Sequence, residues 1–275
     1  MTATTITSSP VDLRKGAPAT PPASTATGYD HVAQDYDRLI RPKYESIARR
    51  VALAVEASVP DLRSAVALEL SAGTGALTHL LAPLVGNYVA TDISLPMLDV
   101  ARERGGAAMR RVAWLPADVE ALQLPSHLAD LVVSSLGPVQ DTPVALAEAR
   151  RTLVPGGCLV ACTWGDDYSE LALLQDARRR LGVDPREVTT ADDVRGRFTA
   201  AGFRDITVTP FRLAVVHESV PAYLAYRGAF GAAPLPHGLS VDLVLEALRE
   251  AAAAYLDDDG RVLLDWHLLL ATGLA

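Results

Sequence analysis

Two acids and two glycines carry the chemistry most readily read from this chain. Glu69 lies near the end of an apolar run, Val66-Ala67-Leu68-Glu69-Leu70, which passes directly into the small-residue turn Ser71-Ala72-Gly73-Thr74-Gly75 and then into Ala76-Leu77-Thr78. Glycine at 73 and 75 lets the backbone approach a ligand, and the N–H groups at the start of the helix expected next are free to face it. A second run, Asn87-Tyr88-Val89-Ala90-Thr91-Asp92, ends in a carboxylate 23 positions after Glu69. An acid at the tip of the second strand, about 20 residues beyond such a turn, is placed to accept both hydroxyls of a ribose. The pair predicts an adenosine-containing ligand. A dinucleotide site wants a third glycine where Thr78 stands, and Glu69 would repel a pyrophosphate while attracting the ammonium of an amino-acid moiety. A nicotinamide-dependent oxidoreductase is therefore the weaker alternative.

Groups able to move a proton are less well marked. If a hydroxyl is the target, a histidine titrating near neutrality could take its proton, and the candidates are His31, His217, His237 and His267. His267 alternates with Trp266 and reads as structural. His217 precedes a C-terminal helix and His237 lies in a Pro-rich loop, so these two, with Tyr36, are the candidates retained for catalysis. Tyr223, Tyr226 and Phe230 fall at helical spacing and read as core. Asp130 is assigned to the start of a strand, and Asp166 and Asp167, at the mouth of the sheet where ligands gather, read equally as ligand-facing acids or as a solvated turn. No His, Cys, Asp or Glu set has metal-ligand spacing, so no metal is expected.

Elements that could position these groups alternate along the middle of the chain. Apolar runs at 65–70, 88–91, 112–115, 130–135 and 158–164 are separated by helical patterns at 77–84, 96–104 and 143–153, the last capped by Asp141 and stopped by Pro155-Gly156-Gly157. Strand and helix alternating at this pace predict a parallel sheet with helices on both faces. Further helices are expected over 44–57, 170–181, 190–202 (Thr190 and Asp193 forming a capping box), 219–230 and 240–255, with late strands over 204–216 and 261–270. The first 28 residues include 19 Ala, Ser, Thr or Pro, too little apolar surface to offset ordering, and are expected to be a disordered tail. The remainder divides into an N-terminal cover (29–60), a ligand-binding core (61–165) and a C-terminal half (166–275) with lid helices over 219–256.

The 275 residues are 49 % apolar and 21 % charged, an ordinary globular mix. A net charge of −8 argues against a nucleic-acid or anionic-membrane partner, which needs surplus cations. If Cys158 and Cys162 share one strand, their Cα atoms stand about 13 Å apart, beyond disulfide reach. No apolar run approaches a membrane span and no secretory signal is visible, so a cytoplasmic location is expected. A homodimer is compatible with the chain.

Five segments in order resemble the motif set of class I S-adenosylmethionine-dependent methyltransferases, particularly the small-molecule group that includes ubiquinone/menaquinone C-methyltransferases. They are Glu69 to Thr78, Val89 to Arg102, Pro116 to Pro125, Ala129 to Leu136 and Leu153 to Val160. The resemblance spans about Tyr29 to Trp164, with an echo at Ala201 to Asp205. It implies a Rossmann-like, seven-stranded, mostly parallel sheet carrying lid helices, and methyl transfer from S-adenosylmethionine to carbon or oxygen of a small molecule, with secondary metabolism as the expected setting. It places Glu69 near the methionine end and Ser71, Ala72, Gly73 and Gly75 beneath the ligand. Asp92 falls on the ribose, Ile93 and Met97 on adenine, and Asp118 and Val119 at its edge. Ser134 and Ser135 floor the transfer site, and Tyr29 and Tyr36 cover it. Two departures stand out: Ser71 replaces the usual glycine, and Gly137-Pro138-Val139-Gln140 replaces an Ala-Leu-His type sequence, leaving Gln140 as a neutral substitute. Hence a non-methylating role, in cyclisation or regulatory binding, is the second alternative.

Overall fold

The computed structural model describes residues 28–230 and 239–275. The expected disordered tail, apart from Gly28, and His237 lie outside the described residues.

Short β-branched and leucine-rich runs with few charges make strands that can be buried on both faces. Here they are β1 (Val66–Leu70), β2 (Asn87–Asp92), β3 (Val112–Pro116), β4 (Ala129–Ser135) and β5 (Leu153–Trp164), with β6 (Arg204–His217) and β7 (Val262–Leu274) following the C-terminal insertions. Among the described residues they form one sheet in the order β3-β2-β1-β4-β5-β7-β6, parallel except that β7 runs antiparallel to both of its neighbours. The closing hairpin-like pair is as expected.

Strand alternation sorts the sides. Ala67 and Tyr88 face a core completed by α2 (Arg41–Ser58), α6 (Ser169–Arg180), α8 (Val220–Gly228) and α9 (Val241–Ala252), whereas Leu68 and Val89 face one completed by α5 (Pro143–Thr152) and α7 (Ala191–Ala200). By the same parity Glu69 and Asp92 point to the first of these faces. α1 (Ala33–Leu39) and α4 (Leu95–Gly105) meet through Ala33, Met97 and Val100, with Tyr29 and Tyr36 packed on them.

Several boundaries differ from those expected. The helix after the glycine turn, expected over 77–84, is only α3 (Thr78–Leu81). Its continuation tightens, Leu84 N–H bonding Leu81 three residues back, before Gly86 is tied to Leu62. Thr142, not Asp141, caps α5 by accepting Ala145 N–H at 3.1 Å. The segment Pro155-Gly156-Gly157 is not a gap between elements: β5 begins at Leu153, directly after α5, and absorbs the bend through Gly156 at φ +81°. The Thr190–Asp193 capping box forms as expected. Cys158 and Cys162 are both buried and free.

Candidate active site

The turn between β1 and α3 is the focus. Gly73 and Gly75 adopt φ of +55° and +80°, and Ser71 itself adopts +59°. Only glycine takes this region without penalty; a serine there costs on the order of 1–2 kcal/mol. Space for its side chain comes from Gly137: a Cβ added at 137 would lie 2.6 Å from Ser71 Cβ and 2.7 Å from Ser134 Oγ. The two departures noted in the sequence are thus neighbours in space, one making room for the other.

Asp92 fastens the turn. Its Oδ2 accepts the Gly73 N–H at 2.8 Å and its Oδ1 the Ser94 N–H at 2.9 Å. Burial raises its pKa, and the backbone N–H bonds oppose that rise. Glu69 is 2 % exposed, its Oε2 taking the hydroxyls of Thr78 and, at 2.9 Å, of Tyr88. Burial pushes its carboxyl up to about 7, the two hydroxyl bonds pulling down and the Asp92 charge adding to the rise. The acids therefore sense each other across one sheet face, with the glycine turn beside them. Tyr36 lies over that turn, 4.0 Å from where a Gly73 Cβ would stand. Tyr29 meets it edge-on at 6.1 Å. Burial lifts both phenols above the usual tyrosine value, so both stay protonated in the absence of ligand.

Other expected positions fall around this centre unevenly. Ala72 donates its N–H to Thr91 at 2.8 Å, locking the turn to β2. Ile93 is half-buried just past β2, and Met97 is buried beneath the α1 cover. Val119 is buried against the opposite-face core, whereas Asp118 is exposed and its Oδ1 accepts Glu120 N–H within its own turn. Ser134 is fully buried with its hydroxyl unpartnered, and Ser135 pairs with Cys162 at the tip of β4. Gln140 is turned inward, donating to Gly137 O at 2.8 Å. Asp130 serves the start of β1, accepting Val66 N–H.

Of the proton-transfer candidates Tyr36 lies at the turn, His237 falls outside the described residues, and His217 and His267 pack elsewhere. His217 is buried between Tyr223 and Tyr226, ring centroids 5.1 and 4.8 Å away. Burial, with Lys43 and Arg227 adding, pushes it down to about 3, so it is neutral at physiological pH and too weak a base to hold a proton there. His267 packs on Gly165 with Nδ1 3.2 Å from Asp166. Sequence reasoning passed over two groups here: the buried pair Glu170–Arg227, and Arg104, which reaches Thr74 O and Asp37 of α1. Their partners lie 30 to 67 positions away, so no local pattern announces them.

A parallel sheet in this order, reversed at its penultimate strand, with a left-handed glycine turn clamped by the acid at the tip of β2, defines a class I nucleoside-binding methyltransferase scaffold. Comparison with known proteins agrees. A methyltransferase-domain family matches residues 67–157. The chain is 32 % identical over 235 residues to a malonyl-[acyl-carrier protein] O-methyltransferase of Geobacter sulfurreducens, covering 80 % of this chain and 86 % of that one. It is 33 % identical to a demethylmenaquinone methyltransferase of Thermobifida fusca over 58 % of this chain and 67 % of the other. The solved YcgJ protein of Bacillus subtilis shares the fold, with a TM-score of 0.60 at 15 % identity over 82 % of this chain and 98 % of that one. The chain belongs to the S-adenosylmethionine-dependent methyltransferase family and is an enzyme of that kind. The nicotinamide alternative falls with that assignment. Among the described residues, no helix is long and apolar enough to cross a membrane.

Proposed function

We propose that this enzyme methylates carbon or oxygen of a small metabolite seated over the tips of β4 and β5, beneath α1, α8 and α9. The observation that carries the reading is the Gly73–Asp92 clamp with Tyr36 laid over it. S-adenosylmethionine supplies a methyl group already activated on a sulfonium. The residues present suit it: the left-handed turn admits a ligand against backbone, and each Asp92 oxygen, spending one lone pair on an N–H, keeps another for a ribose hydroxyl. Glu69 would hold the ammonium, with Ser71, Ala72 and Gly75 completing the floor of the turn. Ile93 and Met97 would flank adenine and Val119, with Asp118 at the rim, its edge. Tyr29 and Tyr36 would close over the nucleoside and exclude water.

Ser134 and Ser135 would line the point of transfer, where the buried Ser134 hydroxyl awaits a partner. Such a displacement needs alignment and a dry site more than a proton carrier, which is consistent with a site whose histidine is held neutral. The two relatives act, by their names, on a malonyl-[acyl-carrier protein] and on demethylmenaquinone. What these acceptors share is carbonyl oxygen, and the present acceptor is assigned to carbonyl-bearing small molecules or acyl groups.

Isothermal titration with S-adenosylmethionine and S-adenosylhomocysteine tests the donor site; no heat at millimolar ligand would remove it. Isotopically labelled donor mixed with metabolite extract tests the transfer, which must shift a product by one labelled methyl.

A further inference from the structure

A path of rings leads from the glycine turn to a charge for which methyl transfer has so far had no use. Tyr36 lies over Gly73, Phe230 meets Tyr36 edge-on at 6.0 Å, and the Arg227 guanidinium sits 4.9 Å from the Phe230 centroid. Arg227 reaches Glu170, Nη1 to Oε1 at 3.2 Å, while Glu170 Oε2 takes the indole N–H of Trp266. Trp164, the last residue of β5, stands 5.3 Å from Trp266 and stacks on Tyr168 at 5.6 Å. The cluster is therefore at the same end of the sheet as the turn, one ring beyond its cover.

Arg227 is under-used for a group so enclosed. A guanidinium offers five donors in a fixed fork. One goes to Glu170 at a long distance, and Nε is buried with no partner. The side chain nonetheless keeps 23 % of its surface accessible, so part of the fork can still be reached. Burial works against its charge, but Glu170 and the neighbouring tyrosines outweigh that and raise its pKa, so it stays a cation. Glu170 also feels Lys43, but Lys43 has Glu218 facing it as well and donates to Val216 O, so Glu170 is left chiefly to Arg227. A guanidinium walled by aromatic rings with a buried Nε left unpartnered is a costly arrangement unless a further acceptor completes it.

We propose that Arg227 is the specificity-determining residue for the acceptor, which is a flat ring or conjugated system bearing an anionic oxygen group. The anion takes the free edge of the guanidinium while the ring system lies against Phe230, Trp164 and Tyr168; Glu170 holds the fork in place. The proposal rests on the acceptor lying at this end of the sheet, as proposed above.

A matched probe pair tests it: anilinonaphthalene sulfonate, an aromatic anion, and phenyl-naphthylamine, the same rings without the sulfonate. Both are titrated by fluorescence against the full chain saturated with S-adenosylhomocysteine. The wild type should bind the anion at one site about tenfold more tightly, or better, as a hydrogen-bonded charge pair requires. Arg227→Met should erase that preference while leaving the neutral probe and the calorimetric S-adenosylhomocysteine affinity unchanged. Arg227→Lys, which keeps the charge and loses the fork, should retain part of the preference and carries the test if the methionine variant does not fold. Equal binding of the two probes, failure of the anion to bind a chain that binds S-adenosylhomocysteine, or a preference undiminished in either variant overturns the proposal. Failure to bind S-adenosylhomocysteine at all overturns the methyl-transfer reading first, and this proposal with it.

Discussion

Glu69→Gln should move fold stability and donor affinity in opposite directions, and the size of the first effect follows from the burial of the carboxyl. Its pKa rises from 4.5 to about 7 in the fold, so the folded state holds this proton more firmly than the unfolded one. The associated stability is complete below about pH 4.5 and is lost as pH climbs through about 7. Between pH 5 and 8.5 the wild type should lose roughly 2–3 kcal/mol from this group alone. A glutamine keeps an acceptor for Thr78 and Tyr88 and does not titrate, so the variant escapes that loss. Any fixed cost of placing the extra amide hydrogens cancels when the two pH values are compared. For a chain of this size the difference amounts to a melting-point gap between variant and wild type that shifts by roughly 5–10 °C in the variant's favour. Denaturation of the ligand-free protein at both pH values measures it, and parallel curves would refute the reasoning. In the same variant S-adenosylmethionine should bind about 1–3 kcal/mol more weakly, having lost a charged partner for its ammonium. The wild type near pH 6.5 should also release protons on binding, read from calorimetry in buffers of different ionisation enthalpy; the variant should release none from this group.

Asp92→Asn should weaken S-adenosylhomocysteine binding by about 1–3 kcal/mol in calorimetry, since an amide oxygen serves only one of the two N–H groups and no charge faces the ribose; unchanged affinity would place the ribose elsewhere. Gly137→Ala should lower both melting temperature and donor affinity because its Cβ would crowd Ser71 and Ser134, and adding Ser71→Gly should recover much of the loss, a non-additivity that independent sites would not show. His217→Phe should leave the pH dependence of turnover between about pH 6 and 8 unaltered, since the native ring is neutral throughout that span; loss of an acidic limb in the rate profile would restore it as a base.

The juxtaposition on which the proposed donor site rests was legible because its information is local. Glu69, the turn and Asp92 fall within 24 residues, and parallel strands convert that spacing into one crevice with no help from distant sequence. Strand parity alone puts both acids on one face. What spacing could not tell was what each acid does when no ligand is near: Asp92 clamps its own turn, and Glu69 is held in a hydroxyl pocket. Nor could it tell that Asp118 spends itself on its own turn in the open. Helix lengths failed where tertiary ties override local preference, as at α3, whose final turn tightens before Gly86 is drawn to Leu62.

The region proposed for the acceptor is different in kind. Its residues come from α1, α2, β5, α6, β6, β7 and the end of α8, elements whose contacts span up to about two hundred positions: Tyr36 with Phe230, Lys43 with Val216, Glu170 with Trp266. No periodicity links such residues, so the sequence can be read for core and lid yet not for pocket. Ser71 and Gly137 show the same limit at short range. Each looked like a defect taken singly, the first a strained turn residue and the second a missing polar group. Together they are one steric exchange: the side chain gained at 71 occupies the volume given up at 137, and Ser134 keeps its hydroxyl aimed into the remainder. A substitution that seems to weaken donor binding can instead be the means by which the space beside the donor is reshaped for a different acceptor.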